Sequence, residues 1–277
     1  MAASKQGEVG AASHGCGAAS TRTDPFTDAA RGGWPVDASS GQPVYRLEEW
    51  WVSVVAAHAG AGASTVALAI ADAAAAVGRG AHLVETAHPT RSGLVAVADA
   101  ELGVDPSGAW RLGSRGRVTI HQRASDDSLT GWPALAASDD GLVVIDLGSP
   151  MSDSLTRLST GGWPTVVVCR PTVPGVRLVE QVLNAVTGPV IVASVGAARW
   201  PGEVSASLGP RLRALRGGNA VVTVPTVRRL EVTGLTSSPL PKPVAAVGRA
   251  LLELLDATHS GDTTASAQSA PLMKGTE

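Results

Sequence analysis

Trp51-Val52-Ser53-Val54-Val55-Ala56-Ala57 runs directly into His58-Ala59-Gly60-Ala61-Gly62-Ala63-Ser64-Thr65. The first half is apolar and rich in valine, and the second is a turn paced by glycine. The stretch 64–77 that follows is Ala-rich and free of proline and glycine. Strand, tight loop and helix are the elements this order predicts. A helix that starts from such a turn directs several main-chain N–H groups and a partial positive charge at one spot, which suits an anion. Gly78-Arg79-Gly80 then stops the helix.

Outward from this unit the alternation continues. Short apolar runs at 81–85, 118–121, 142–146, 165–169, 189–195 and 220–224 read as strands. Between and after them, 173–186 (which Pro174 can begin), 204–215 and 244–255 read as helices. Nearly all-apolar strands alternating with helices of ten or more residues predict an α/β domain: a mainly parallel sheet of seven or so strands between two helical layers. Ligands of such sheets bind beyond the strand C-termini, where the loop 57–65 and Asp146 both fall.

Composition sets the limits. The chain has 277 residues, of which 44% are hydrophobic, yet it holds one Phe and one Tyr, so Val, Leu, Ala and Ile must build the core. A formal net charge of −2 gives no bulk attraction to nucleic acid or to an acidic membrane. Cys16 and Cys169 show no pairing pattern, and the six histidines have no metal-ligand spacing. No run approaches 18 apolar residues, and the N-terminus lacks an apolar signal core, so a cytoplasmic protein is expected. Residues 1–45 read as a disordered leader, 46–257 as the folded domain and 258–277 as a disordered tail.

The loop departs from the phosphate-binding pattern G-x-x-x-x-G-K-[ST] twice, with Ala57 at the first glycine and Ala63 at the lysine. Ser64 keeps the hydroxyl that ligates magnesium in that pattern. Asp146, closing Leu142-Val143-Val144-Ile145-Asp146, stands where a magnesium-holding carboxylate belongs, or else caps the turn at Gly148. The loop is either an anion nest or a plain strand-to-helix connection.

With these residues in order, the chain resembles the ParA/MinD group of deviant-Walker P-loop ATPases over residues 50–256. That group's loop reads K-G-G-x-G-K-[ST]-[ST] against His58 to Thr65 here. Its second strand ends in Asp-x-Asp, where this chain has Glu85-Thr86-Ala87 before His88-Pro89-Thr90-Arg91-Ser92-Gly93-Leu94. The segment 221–240 looks like its last strand and adenine-side loop. The resemblance implies a three-layer P-loop NTPase-like fold and ATP or ADP with Mg2+ as ligand. His58, Gly60, Ala61, Gly62, Ala63, Ser64 and Thr65 would then hold nucleotide, and Ser64 and Asp146 the metal. It also implies a homodimer and a protein partner of unknown identity. Three departures weaken catalysis. His58 replaces the lysine that reaches the partner's nucleotide, Ala63 the phosphate-neutralising lysine, and Ala87 the carboxylate that orients water. Phosphoryl transfer depends on such positioning and charge, and one lost donor costs about 3–4 kcal/mol.

The expectation is therefore a pseudo-ATPase: a nucleotide-binding regulatory or interaction component in partition, plasmid or mobile-element maintenance, or protein positioning. One alternative is an active ATPase in which Arg91, or a residue supplied by a partner, replaces the lysine. Arg79, Arg170 and Arg199 are the other arginines weighed for that role. A second alternative is a scaffold that binds no nucleotide. Arg211, Arg213, Arg216, Arg228 and Arg229 form a basic cluster that could meet DNA, although Arg211 and Arg213 do not share a helix face. Trp34, Trp132, Trp163 and Trp200 each precede proline and read as stiff lids over core edges or as a partner patch.

Overall fold

The computed structural model describes residues 50–124, 141–149 and 162–268. The readings for the leader, Cys16, Trp34, Trp132 and 269–277 fall outside these residues. The chain order is β1 (Trp50–Ala56), α1 (Ala63–Ala76), β2 (Ala81–Glu85), a 3-10 turn (Pro89–Arg91), β3 (Ala100–Val104), β4 (Trp110–Arg115), β5 (Val118–Arg123) and β6 (Leu142–Asp146). There follow β7 (Thr165–Cys169), α2 (Val173–Ala185), β8 (Val190–Val195), α3 (Gly202–Ala206), α4 (Pro210–Gly217), β9 (Val221–Val224), α5 (Arg228–Thr233) and α6 (Lys242–Gln268).

The strands form one sheet in the order β3-β4-β5-β2-β6-β1-β7-β8-β9. From β5 to β9 every pairing is parallel, and those seven strands are the ones that the apolar runs predict. The expected count of seven falls short of the nine described because β3 and β4 add an antiparallel edge. β3 is exposed along its whole length and β4 carries Arg111, Gly113 and Ser114, so neither presents an apolar run.

Side chains alternate between the two faces of the sheet. Val52, Val54 and Ala56 of β1, with Leu83, Ile120 and Val144, pack beneath α1 and α6. Trp51, Val55 and Ala57, with Val143, Ile145 and Val167, pack on the opposite face with α2 and α4. Both layers are built from small aliphatics, so the helices come close. Gly248 of α6 lies so near α1 that a Cβ there would sit 2.1 Å from the Ala69 carbonyl oxygen. Thr172 caps α2 by accepting from Gly175 N at 3.1 Å, with Pro174 in the first turn.

Two helical readings change. The single helix expected over 204–215 is two, α3 and α4, parted before Pro210, whose ring cannot continue a helix from the preceding turn. The helix expected over 244–255 begins at Lys242 and continues to Gln268, into the segment read as loose. His259 packs its ring on Trp50 at 5.1 Å, which gives that extension a tertiary contact. Of the Trp-Pro steps described, Trp163 stacks on Trp51 at 5.5 Å and Trp200 is buried under the Arg216 guanidinium at 4.8 Å. Both are lids over the core.

Candidate functional site

The loop after β1 turns twice through left-handed backbone, at Gly60 (φ 73°) and Gly62 (φ 103°), conformations that side-chain-bearing residues rarely adopt. Gly62 is the N-cap of α1, and no side chain caps that helix. The first intrahelical bond runs from Val66 N to the Gly62 carbonyl at 3.1 Å. The N–H groups of Ala63, Ser64 and Thr65 precede it and have no acceptor within the helix. Gly60, Ala61, Gly62, Ala63, Ser64 and Thr65 all line one cavity of about 930 Å3 at the C-terminal ends of the strands. Ala63 is itself 5% exposed, so a methyl group occupies the start of the helix where the phosphate-binding pattern has an amine.

Two carboxylates lie beneath the cavity. Asp146 ends β6, is fully buried, and accepts from Gly148 N through Oδ1 at 2.9 Å. Its other oxygen, Oδ2, is buried without a hydrogen-bond partner of good geometry, although the nearby Ser64 hydroxyl favours the charged form. Burial pushes the Asp146 acid up to about 6, against the Ser64 and Gly148 hydrogen bonds and with a smaller push from the Glu85 charge. Glu85 ends β2 and accepts from Ser92 Oγ (2.5 Å), Gly93 N (2.8 Å) and Gln122 Nε2 (3.1 Å). These bonds draw the loop 86–94 down beside Ser64. A Cβ on Gly93 would lie 2.8 Å from the Ser64 hydroxyl.

Of the residues expected at the site, Gly60 to Thr65 and Arg91 line the cavity. Asp146 sits under it rather than on its wall. His58 lies off the wall: its Nε2 accepts from Arg170 N at 3.3 Å, and its Nδ1 lies 3.0 Å from the Ala59 carbonyl oxygen. Arg170 also donates to the Gly60 carbonyl at 3.4 Å, on the outer side of the loop. Arg79 is elsewhere, paired with Asp256 at 3.3 Å and stacked over Trp50. Arg199 is exposed and does not line the cavity. The basic cluster is occupied locally in part. Arg211 donates to the Leu183 carbonyl, Arg213 to that of Leu208 at 2.9 Å, and Arg216 to Ser205 Oγ at 3.3 Å.

One wall residue escaped the sequence reading. Arg123 lines the cavity from the end of β5, two residues beyond the predicted end of that strand. Its position at the C-terminal end of a parallel strand was the available signal. The far wall is apolar, formed by Leu230, Gly234 and Leu235 after β9.

No protein-family profile and no curated protein matches the chain. Solved structures do. The septum site-determining protein MinD of Pyrococcus horikoshii, complexed with Mg-ADP, superposes with a TM-score of 0.52 at 16% identity, over 75% of this chain and 96% of that one. A plasmid partition protein of Borrelia burgdorferi bound to AMPPNP gives 0.52 at 12%, over 76% and 98%. A ParA family ATPase of Chlorobium tepidum gives 0.51 at 12%, over 74% and 98%. The fold is that of the ParA/MinD ATPases.

On a ParA/MinD fold, the cavity falls at the end of the central strands, beside the loop that enters α1. Among the described residues no group of three or more His, Cys, Asp or Glu side chains could hold a metal. Magnesium needs fewer when phosphates supply the rest. The Ser64 hydroxyl and the buried Asp146 Oδ2 are oxygen donors that fit such an ion. No helix among the described residues is long and apolar enough to cross a membrane.

Proposed function

We propose that this chain binds a purine nucleotide in the cavity at the start of α1, hydrolyses it weakly or not at all, and works as a regulatory or interaction component. The observation that carries the reading is a glycine turn and helix start, Gly60 to Thr65, that line a cavity while Ala63 supplies no charge. Backbone N–H groups at a helix N-terminus bind anions without a lysine. Losing a charge-assisted contact worth roughly 1.5–3 kcal/mol weakens such binding without abolishing it. Hydrolysis is more demanding, because it needs charge placed where the transition state develops it. The processes that fit are partition, plasmid or mobile-element maintenance and protein positioning, with ATP or ADP and Mg2+ as the ligand. A second copy docked on the loop face and a protein partner complete the reading, in which occupancy of the cavity controls the surface presented.

Arg91 on the cavity wall favours a second reading, a working ATPase whose arginine replaces the missing lysine. One experiment separates the two. The purified chain is melted with and without ATP·Mg and assayed for phosphate release. A raised Tm without release supports the first reading. Release abolished by Asp146→Ala and by Arg91→Ala supports the second. No shift at millimolar nucleotide would overturn both and leave a scaffold that binds no nucleotide.

A further inference from the structure

We propose that His58 is a positioning residue: its neutral ring docks the glycine loop on the end of β7 and so sets the turn from which the N–H groups of α1 address a phosphate. The inference rests on the nucleotide reading above and says what gives the binding loop its shape. Its first support is the tautomer that the partners of the ring impose. Nε2 takes a hydrogen bond from Arg170 N at 3.3 Å, and a main-chain N–H can only donate, so that nitrogen is bare. Nδ1 lies 3.0 Å from the Ala59 carbonyl oxygen, which can only accept, so that nitrogen carries the proton. The two ring nitrogens are thereby used with opposite polarity. A cationic group in this place would meet Arg170 N donor to donor.

The second support is where the contact falls. Between β1 and β7 the parallel ladder runs as far as Ala57 N, which donates to the Val168 carbonyl at 2.7 Å. Arg170 N, the next donor on that edge of β7, goes to the His58 ring, so a side chain carries the strand pairing one step into the loop. The corner it grips is itself held, because the Arg170 carbonyl accepts from Thr172 N at 2.8 Å and Thr172 caps α2. The loop side is held as well. The His58 carbonyl accepts from Ala61 N at 3.2 Å, and Arg170 Nε donates to the Gly60 carbonyl at 3.4 Å. Ring and main chain of one residue thus pin the turn from its outer side, while Gly60 to Thr65 line the cavity with the inner one.

The test uses the full chain, first without ligand. Imidazole nitrogen NMR at neutral pH should show a proton on His58 Nδ1 and none on Nε2. The Arg170 amide should exchange with solvent about tenfold faster in His58→Leu, which loses the acceptor. Affinity for ATP·Mg is then measured by calorimetric titration. His58→Gln, whose side-chain oxygen can reach Arg170 N, should bind within about twofold of the native chain, since the acceptor is what counts. His58→Leu and His58→Lys should each bind about tenfold more weakly, the lysine in spite of its added charge. A proton on Nε2, native affinity in His58→Leu, or a glutamine variant as weak as the leucine one would overturn the proposal. Tighter binding by His58→Lys would overturn it too and make the position a charge site. A native chain that binds no ATP would remove the nucleotide reading, and the tautomer and the Arg170 exchange would still decide whether the ring holds the loop.

Discussion

Glu85 and Asp146 face one another in register across β2 and β6, two buried carboxyl groups at the ends of adjacent central strands. Their surroundings differ. Glu85 has three donors from the loop and from β5, whereas Asp146 has a firm bond to Gly148 N and one oxygen without a partner. The first carboxylate ties a loop in place. The second bears a cost of burial that Ser64 and Gly148 only partly offset, and the rise of its acid to about 6 records the remainder. An unsatisfied carboxyl beneath a phosphate-type loop is the sort of strain that a bound cation would relieve.

Replacing Asp146 by Asn should stabilise the ligand-free protein at neutral pH. An acid raised from 3.8 to about 6 contributes stability below pH 3.8 that is lost as the pH rises through 6. Asparagine keeps an acceptor for Gly148 N and carries no charge to desolvate. The gain at pH 7.5 should reach about 3 kcal/mol at most, since each tenfold change in acid strength is worth about 1.4 kcal/mol. Calorimetric melting from pH 4 to 8 would show the gain in Tm closing toward pH 4. An equal gain at both ends would contradict this account.

His121 has the opposite linkage. Its ring is buried, lies 3.0 Å from His82 Nδ1 through Nε2, and leaves Nδ1 without a partner. Burial first, then the His82 charge, lowers it to about 3, against a smaller pull from Asp105. A base whose folded pKa is depressed stabilises fully above its unfolded value of 6.5, and that stability drains as the pH falls toward 3. Between pH 6 and 4 this loss offsets the relief at Asp146, so the Asp146→Asn chain should show the steeper acid decline. His121→Gln should flatten that decline by about 2 kcal/mol between pH 6.5 and 5. Imidazole NMR should find His121 still neutral at pH 5, and a cationic ring at that pH would refute the prediction.

What was legible follows from where the apolar residues fall. The central parallel strands β1, β2, β6 and β7 are buried runs, such as Leu142-Val143-Val144-Ile145 and Val166-Val167-Val168, and continuous burial leaves a readable trace; β9 is only half-buried but still apolar enough to read. β3 has no buried residue, and the buried Trp110 of β4 stands among polar neighbours, so the antiparallel edge left none. At the site, Gly60 and Gly62 could be recognised because positive φ demands glycine at both. Arg123 offered only its place near the end of a strand, because its position on the wall depends on β5 lying beside β2, and pairing order is a tertiary fact. The three donors to Glu85 were hidden for the same reason. Two come from seven and eight residues along the chain and one from a neighbouring strand.

Arg115 is the fastening point of that edge. It is 6% exposed and pairs with Asp72 of α1 at 2.9 Å. It also donates to the carbonyls of Val97 (3.2 Å), Thr236 (3.1 Å), Ser237 (2.8 Å) and Ser238 (3.0 Å). The segment 236–238 directly follows Gly234 and Leu235 of the cavity wall. Arg115→Met fills similar volume but leaves those carbonyls and Asp72 unmet, at a cost of about 3–5 kcal/mol. Denaturant unfolding should show that loss, and nucleotide affinity should fall with it as the wall loosens. A midpoint unchanged from the native chain would mean that the carbonyls find water instead.

The most direct probe of the cradle is to return the missing charge. Ala63 is the first residue of α1 and borders both the core and the cavity, so the hollow is the space open to the amine of a lysine there. The left-handed turn at Gly62 before it remains unchanged. If the N–H groups of residues 63–65 face a phosphate, Ala63→Lys adds one charge-assisted contact to a site already shaped for it. ATP affinity should rise by about one to two decades, the equivalent of roughly 1.5–3 kcal/mol. Turnover should rise far less, because Ala87 still supplies no carboxylate and His58 is turned toward Arg170. Titration of the variant and the native chain side by side with ATP·Mg decides it. An affinity left where it was would mean that the amides of the loop do not meet the phosphates.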